Sequence, residues 1–232
     1  MRKKILVVSH ERSGTHFLIN TITQSFGDLP RWIDLDDKRG VNWRDTQMAR
    51  AWLAQFKGQF VPAVFKSHHA FPLLAPFISQ DLDEFIIFYV QRDGRDVMTS
   101  FWTYLNRLKA DWGPKTATVG EFMRTPSRGL ITQYQTSDEP ITMLQRWVDH
   151  VEGWNHADLP VHRVSYESLH AQHGEVVDRI AAILGQPPVS RARPGLDAPS
   201  NLPWRGKVGT WREFFTAADS DYFERNTKRL RG

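Results

Sequence analysis

Three short stretches of this sequence carry groups able to grip an anion or move a proton. The first is Ser9-His10-Glu11-Arg12-Ser13-Gly14-Thr15-His16-Phe17. A loop of small residues that opens a helix turns backbone N–H groups toward an anion. Ser13 and Thr15 add hydroxyl donors and Arg12 adds a cation. The spacing is not that of the Walker A loop, because Thr15 stands where that motif needs a lysine. The second stretch is Phe65-Lys66-Ser67-His68-His69. Residues two apart on an extended chain point the same way, so Lys66 and the histidine are candidates for a charge clamp and a general base, with a surface basic cluster as the alternative. The third runs from Gln91 to Ser100 and includes Arg92, Asp93 and Asp96. Arg92 and Ser100 converge on one phosphate if the intervening residues form a helix, with Asp93 as its cap and Asp96 as partner to a neighbouring arginine.

Each stretch follows a short apolar run. Residues 4–9 (KILVVS), 61–65, 84–90 (EFIIFYV) and 161–165 read as strands, apolar on both sides and rich in β-branched residues. Helical spacing recurs over 14–25, 42–57, 94–108, 141–154 and 175–184, and 222–231 reads as a surface helix with a basic end. Strands alternating with helices predict an α/β fold, a central parallel β-sheet flanked by helices on both faces. In such sheets ligands sit beyond the carboxyl ends of the strands, which is where the three stretches fall. Residues 109–139 and 186–209 are rich in glycine and proline and read as long loops of the lid or binding kind. No internal linker divides residues 1–232, so a single domain is expected.

Composition narrows the chemistry. The 232 residues include no cysteine, which removes disulfides, thiolate metal sites and a cysteine nucleophile. The longest apolar runs are far too short to cross a membrane, and a signal peptide is not indicated, so a cytoplasmic location is expected. The net charge of +4 is unevenly spread. Residues 1–60 hold 10 Lys and Arg against 6 acids, residues 61–186 hold 11 against 15, and residues 187–232 hold 9 against 5. Arginines outnumber lysines, and a planar guanidinium fork suits phosphate-type oxyanions.

Taken in order, the stretches resemble the sulfotransferases that use 3′-phosphoadenosine 5′-phosphosulfate (PAPS). The first is similar to that family's P-[KR]-[ST]-G-T-T-W loop, the second to its K-T-H segment and the third to its R-D-P-R-D-V-x-x-S segment. Arg146-Trp147-x-x-His150-Val151-x-x-Trp154 resembles its W-x-x-H-V-x-x-W helix, and Tyr166-Glu167-Ser168-Leu169 its Y-E-D-L turn. Arg205 to Thr216 resembles its R-K-G-x-x-G-D-W-K-x-x-F-T loop. Six motifs in the family's order span nearly the whole chain.

The resemblance implies a three-layer sandwich of the P-loop-kinase type and roles for individual residues. Arg12, Ser13, Gly14, Thr15, His16 and Phe17 would hold the phosphosulfate end, with His16 replacing a threonine and Phe17 the tryptophan that packs on adenine. His68 would take the acceptor's proton, and Lys66 and Arg12 would stabilise charge on the transferring group. Arg92 and Ser100 would bind the 3′-phosphate, Tyr166 would face the adenine, and Arg205, Gly206 and Lys207 would close as a clip. The product would be 3′-phosphoadenosine 5′-phosphate (PAP), with no metal required. Trp204 replaces the first arginine of the clip, and Thr210 replaces an aspartate. Trp147, Trp154 and His150 are expected to be structural.

The acceptor is a small molecule, a glycan or a peptide. Variable loops over 28–43, 71–76 and 102–139 would shape its pocket. Trp102, Tyr104 and Trp112 suit an aromatic acceptor, whereas Arg107, Lys109 and Arg128 suit an acidic one. Two other readings stay open. A nucleotide or metabolite kinase would fit the first loop and would need ATP and Mg²⁺. A non-catalytic polyanion binder would fit the basic pI, but the sequence lacks the basic stripe with interleaved aromatics that nucleic-acid binding calls for.

Overall fold

A computed structural model describes residues 3–27, 31–35, 41–58, 63–79, 84–195, 198 and 207–231. Five parallel strands form one sheet in the order β2-β3-β1-β4-β5. They are β1 (Lys4–Ser9), β2 (Arg31–Leu35), β3 (Ala63–Ser67), β4 (Phe85–Gln91) and β5 (Val161–Ser165). β1 lies at the centre, paired on one side with β3 and on the other with β4. Every residue of β1 is buried, which explains its unbroken run of apolar side chains.

Side-chain alternation splits the sheet into two cores. Ile5, Val7, Phe88 and Val90 face α1 (Thr15–Phe26) and α8 (His173–Leu184). Leu6, Val8, Phe65, Ile87 and Tyr89 face the opposite layer, which includes Trp154 of α6 (Met143–Asn155). This second layer also contains α2 (Thr46–Ala54) and α3 (Phe71–Ile78). A further apolar cluster joins α4 (Gly94–Arg107), α5 (Val119–Arg124), α6 and α9 (Ala217–Thr227). The three-layer α/β architecture expected from the alternating pattern is the one observed. Among the described residues no helix is long and apolar enough to cross a membrane.

Three segments differ from the sequence expectation. The stretch 28–43 contains the edge strand β2, whose residues Arg31 to Leu35 align with Ala63 to Ser67 of β3. Two of its five residues are charged, so its strand character comes from pairing with β3 rather than from local preference. The stretch 71–76 is helical despite two prolines. Pro72 lies in the first turn, where a missing N–H costs nothing, and Pro76 gives up a single bond while Leu74, Phe77 and Ile78 are buried. The stretch 109–139 contains α5 and a 3₁₀ segment, Gly129–Tyr134, which becomes important at the site.

Candidate functional site

The carboxyl ends of β1, β3 and β4 bring the three polar stretches together. After β1 the chain turns through Arg12 at φ 67 and Gly14 at φ 102. Arg12 is the one non-glycine residue in this left-handed region among the described residues. Such conformations cost about 1–3 kcal/mol and collect at ligand sites. Gly14 has a second reason to be glycine: a Cβ there would lie 2.4 Å from a ring carbon of Tyr166. No side chain caps α1, so its first-turn amides are open to an incoming anion. The Thr15 hydroxyl is 2.6 Å from that of Ser9 and fastens the loop to its strand. Ser13 is buried, and its N–H donates to the His10 carbonyl.

Arg92 joins three segments around this loop. Its Nη1 donates to the Arg12 carbonyl at 3.0 Å and its Nη2 to the Lys207 carbonyl at 3.1 Å. Its guanidinium lies 4.3 Å above the Tyr166 ring, an attractive cation–π contact. Its Nε is buried with no partner among the described residues, which leaves a donor to spare. Arg12 Nε donates to Ser100 Oγ at 3.1 Å, and the Arg12 guanidinium sits 5.1 Å from the centre of the Tyr104 ring. Burial lowers the pKa of Arg12, with Arg92 adding to the effect and Tyr104 opposing it. Arg12, Arg92 and Ser100 therefore form one basic cluster at the α1 and α4 N-terminal ends.

Asp96 brings the C-terminal loop to this cluster. It is fully buried and accepts from the Gly209 and Trp211 N–H groups at 2.6 and 3.0 Å, and from the Thr210 hydroxyl at 3.1 Å. Thr210 thus has a structural bond to make. Lys207, exposed at the start of the loop, is held beside Arg92. Arg205 and Gly206 lie outside the described residues.

His68 sits just beyond β3. Its Nδ1 is 2.9 Å from the Ser9 carbonyl oxygen, so Nδ1 carries the proton and Nε2 keeps a lone pair. Burial first, and then the Lys66 charge, hold its pKa well below the ordinary imidazole value. The Lys66 ammonium is paired with Asp34 of β2, which is also its partner in the strand register. His16 stands beside this pair with its pKa lowered to about 4, chiefly by burial and next by Lys66. Its Nδ1 is buried and has no partner among the described residues. Tyr134 presents its ring edge-on to both His68 and His69, with centroids 5.6 and 5.0 Å apart. His69 itself points into the protein: it is fully buried, its Nδ1 meets Ser67 Oγ at 2.9 Å, and its pKa is lowered to about 3, mostly by burial.

Phe17 is buried at the α1 side. Its ring is flanked by Tyr166, by a stacked His173 and by the Arg193 guanidinium at 5.2 Å. Tyr166 is likewise buried and serves as the floor beneath Gly14 and Arg92.

One helix backs all three strand ends. From α6, Arg146 bonds His10 and Glu11 of the first loop. Trp154 donates to the His69 carbonyl at 3.0 Å. Trp147 packs so closely on Gly94 that a Cβ there would be 2.4 Å from its ring. His150 meets Tyr89 at 3.1 Å. Asp34, Tyr134, Arg146 and Arg193 stood outside the sequence reading of the site. Asp34 and Tyr134 lie in stretches read as loops, and only the fold brings them to Lys66 and His68. Arg146 was visible beside Trp147 but carried no assigned role.

A basic cluster with open amides next to a neutral imidazole and a lysine can bind an anionic donor and remove a proton from an acceptor. The family model described as "Sulfotransferase domain" matches residues 2–193. A search of curated proteins returned no match. Among solved structures, the mouse sulfotransferase SULT7A1 complexed with PAP aligns with a TM-score of 0.69 at 18% identity, covering 100% of this chain and 86% of that one. Retinol dehydratase in complex with androsterone and the inactive cofactor PAP aligns at 0.62 and 18% identity, covering 97% and 80%. A sulfotransferase from Alicyclobacillus acidocaldarius aligns at 0.54 and 14%, covering 99% and 94%.

Proposed function

The chain belongs to the sulfotransferase domain family, and from that premise we propose that it transfers a sulfuryl group from PAPS to a hydroxyl or amine of an acceptor. The observation that carries the reading is the His68 tautomer: the Ser9 carbonyl holds the Nδ1 proton and leaves Nε2 as a base beside Lys66. PAP in two of the structural relatives supports the same nucleotide here. The residues fit it. Arg92 Nε is a buried donor with no partner among the described residues, and the α1 N-terminus carries no side-chain cap.

PAPS supplies the sulfuryl group on a phosphosulfate bridge and departs as PAP. Arg92, Ser100 and Lys207 hold the 3′-phosphate end. The α1 amides and Arg12 hold the 5′ end, where Arg12 stays charged and stabilises the leaving oxygen without giving up a proton. His68 Nε2 takes the acceptor's proton as its oxygen bonds to sulfur, so the nucleophile sharpens as the bond forms. Lys66, released from Asp34, supplies positive charge to the sulfuryl oxygens, and a neutral His16 N–H donates a hydrogen bond to them. The acceptor faces Tyr134 and is a small molecule, a glycan or a peptide.

The test is PAP release from PAPS with a panel of four acceptors: a phenol, a steroid alcohol, an amino sugar and a tyrosyl peptide. His68→Ala is expected to lower kcat by about 10²–10⁴ while PAP still binds in calorimetry. Near-normal turnover in that variant would remove His68 as the base, and a wild-type protein that does not bind PAP would remove the cofactor assignment.

A further inference from the structure

Arg146 is buried at 3% exposure and has no part in the chemistry described above. Its contacts are unusually placed. Nη1 donates to His10 Nε2 at 2.8 Å, and Nη2 donates both to Glu11 Oε1 at 2.6 Å and to the Ile131 carbonyl at 3.0 Å. His10 is prepared to accept, because its Nδ1 proton is given to the Glu11 carbonyl at 3.0 Å. The first two partners belong to the loop that opens α1. The third belongs to the 3₁₀ segment Gly129–Tyr134, whose last residue lies against His68.

That segment is fixed from other sides as well. Ile131 N–H donates to the Trp112 carbonyl, Ala70 N–H donates to the Tyr134 carbonyl at 2.8 Å, and Arg44 Nη2 donates to the Gln135 carbonyl at 2.7 Å. Of these ties, the one from Arg146 runs to the anion loop. A guanidinium is suited to such a junction because its rigid planar fork serves several acceptors at fixed angles, which an ammonium cannot do.

We propose that Arg146 is a positioning residue for sulfuryl transfer: it locks the loop that holds the donor to the segment that sets Tyr134 against the base. Resting on the sulfotransferase reading, the proposal concerns the register between donor and base rather than the binding of either substrate. Misplacing reacting groups by about 1 Å costs on the order of 10² in rate.

The experiment compares wild type, Arg146→Lys, Tyr134→Leu and the double variant, using PAPS and whichever of the four acceptors releases most PAP. Arg146→Lys keeps the charge and loses the fork. It is expected to lower kcat by at least about tenfold with PAP affinity within about threefold of wild type. In the Tyr134→Leu background the same substitution is expected to cost under about threefold, because coupled residues are not additive. Glu11→Gln, which keeps the acceptor oxygen, is expected to retain most of the rate and guards against a folding failure of the Arg146 variant. A kcat within about twofold of wild type in Arg146→Lys overturns the proposal. So does an equal loss in both backgrounds, or a fall in kcat matched by an equal fall in PAP affinity. Wild-type protein that binds PAP and transfers to none of the acceptors would instead remove the reading beneath it.

Discussion

In the proposed reaction, His68 serves as the base through the bond its other nitrogen makes. The Ser9 carbonyl fixes the tautomer, and burial together with Lys66 keeps the ring neutral. A base acts when deprotonated, and a lowered pKa extends the deprotonated form to lower pH. The acid limb of kcat/KM, which reports the free protein, is therefore expected below pH 6.5, the ordinary imidazole value, with no loss on going from pH 8 to pH 7. A limb centred above 6.5 in a pH–rate profile would contradict the assignment. Single residues show how far the sequence could be read. Arg92, Ser100, Lys66 and His68 were legible because their types and spacings recur together in one local pattern. Asp34 and Tyr134 were not, because each meets its partner only across the sheet or through a loop of many residues. Lys-x-His spacing favours His68 over His69, and the fold turns the His69 ring into the core, against Trp43.

At the level of elements, the strands and helices that carry the motifs were legible, with ends shifted by a few residues. β5 matches residue for residue, while β3 runs from Ala63 to Ser67 rather than over 61–65. β2 and α3 escaped because tertiary pairing and burial outweigh their charged and proline-rich local sequence. The α1 entrance depends on a glycine for two separable reasons, and substitution can part them. Gly185, the αL cap of α8, has φ 65 and open space around a Cβ. Gly185→Ala should cost about 1 kcal/mol of stability from backbone strain alone and leave PAP affinity unchanged. Gly14→Ala adds a collision with Tyr166, the floor of the Arg92 contact. It should cost more in a denaturant melt and weaken PAP binding at least tenfold in calorimetry. Equal behaviour of the two variants would show that the Tyr166 contact is unimportant.

At the level of the whole molecule, segments from the two basic ends meet at one place, since Arg92 donates to the backbone carbonyls of Arg12 from the first block and Lys207 from the last. The other global feature is a set of buried and half-buried histidines. His16, His69 and His170 have pKa values lowered to about 4, 3 and 4, by burial in the first place, and those of His10, His68 and His150 also fall well below 6.5. Folded pKa values below the unfolded ones mean that the unfolded chain binds more protons as pH falls. Stability is then complete above pH 6.5 and declines from there toward pH 4. Tm measured between pH 7.5 and pH 5 should drop well before the carboxylate range is reached; a flat Tm over that interval would contradict the burial of these rings. The central position of β1 has a consequence for how the chain is made. β1 leaves the ribosome before the other strands of its sheet, yet its two neighbours end at Ser67 and Gln91. Its apolar residues must wait through synthesis of more than a third of the protein before both edges are paired. The outer strand β5 follows only at Val161. Such non-local pairing folds slowly and leaves sticky edges open, so the nascent chain, rather than the finished enzyme, is the form most in need of a chaperone.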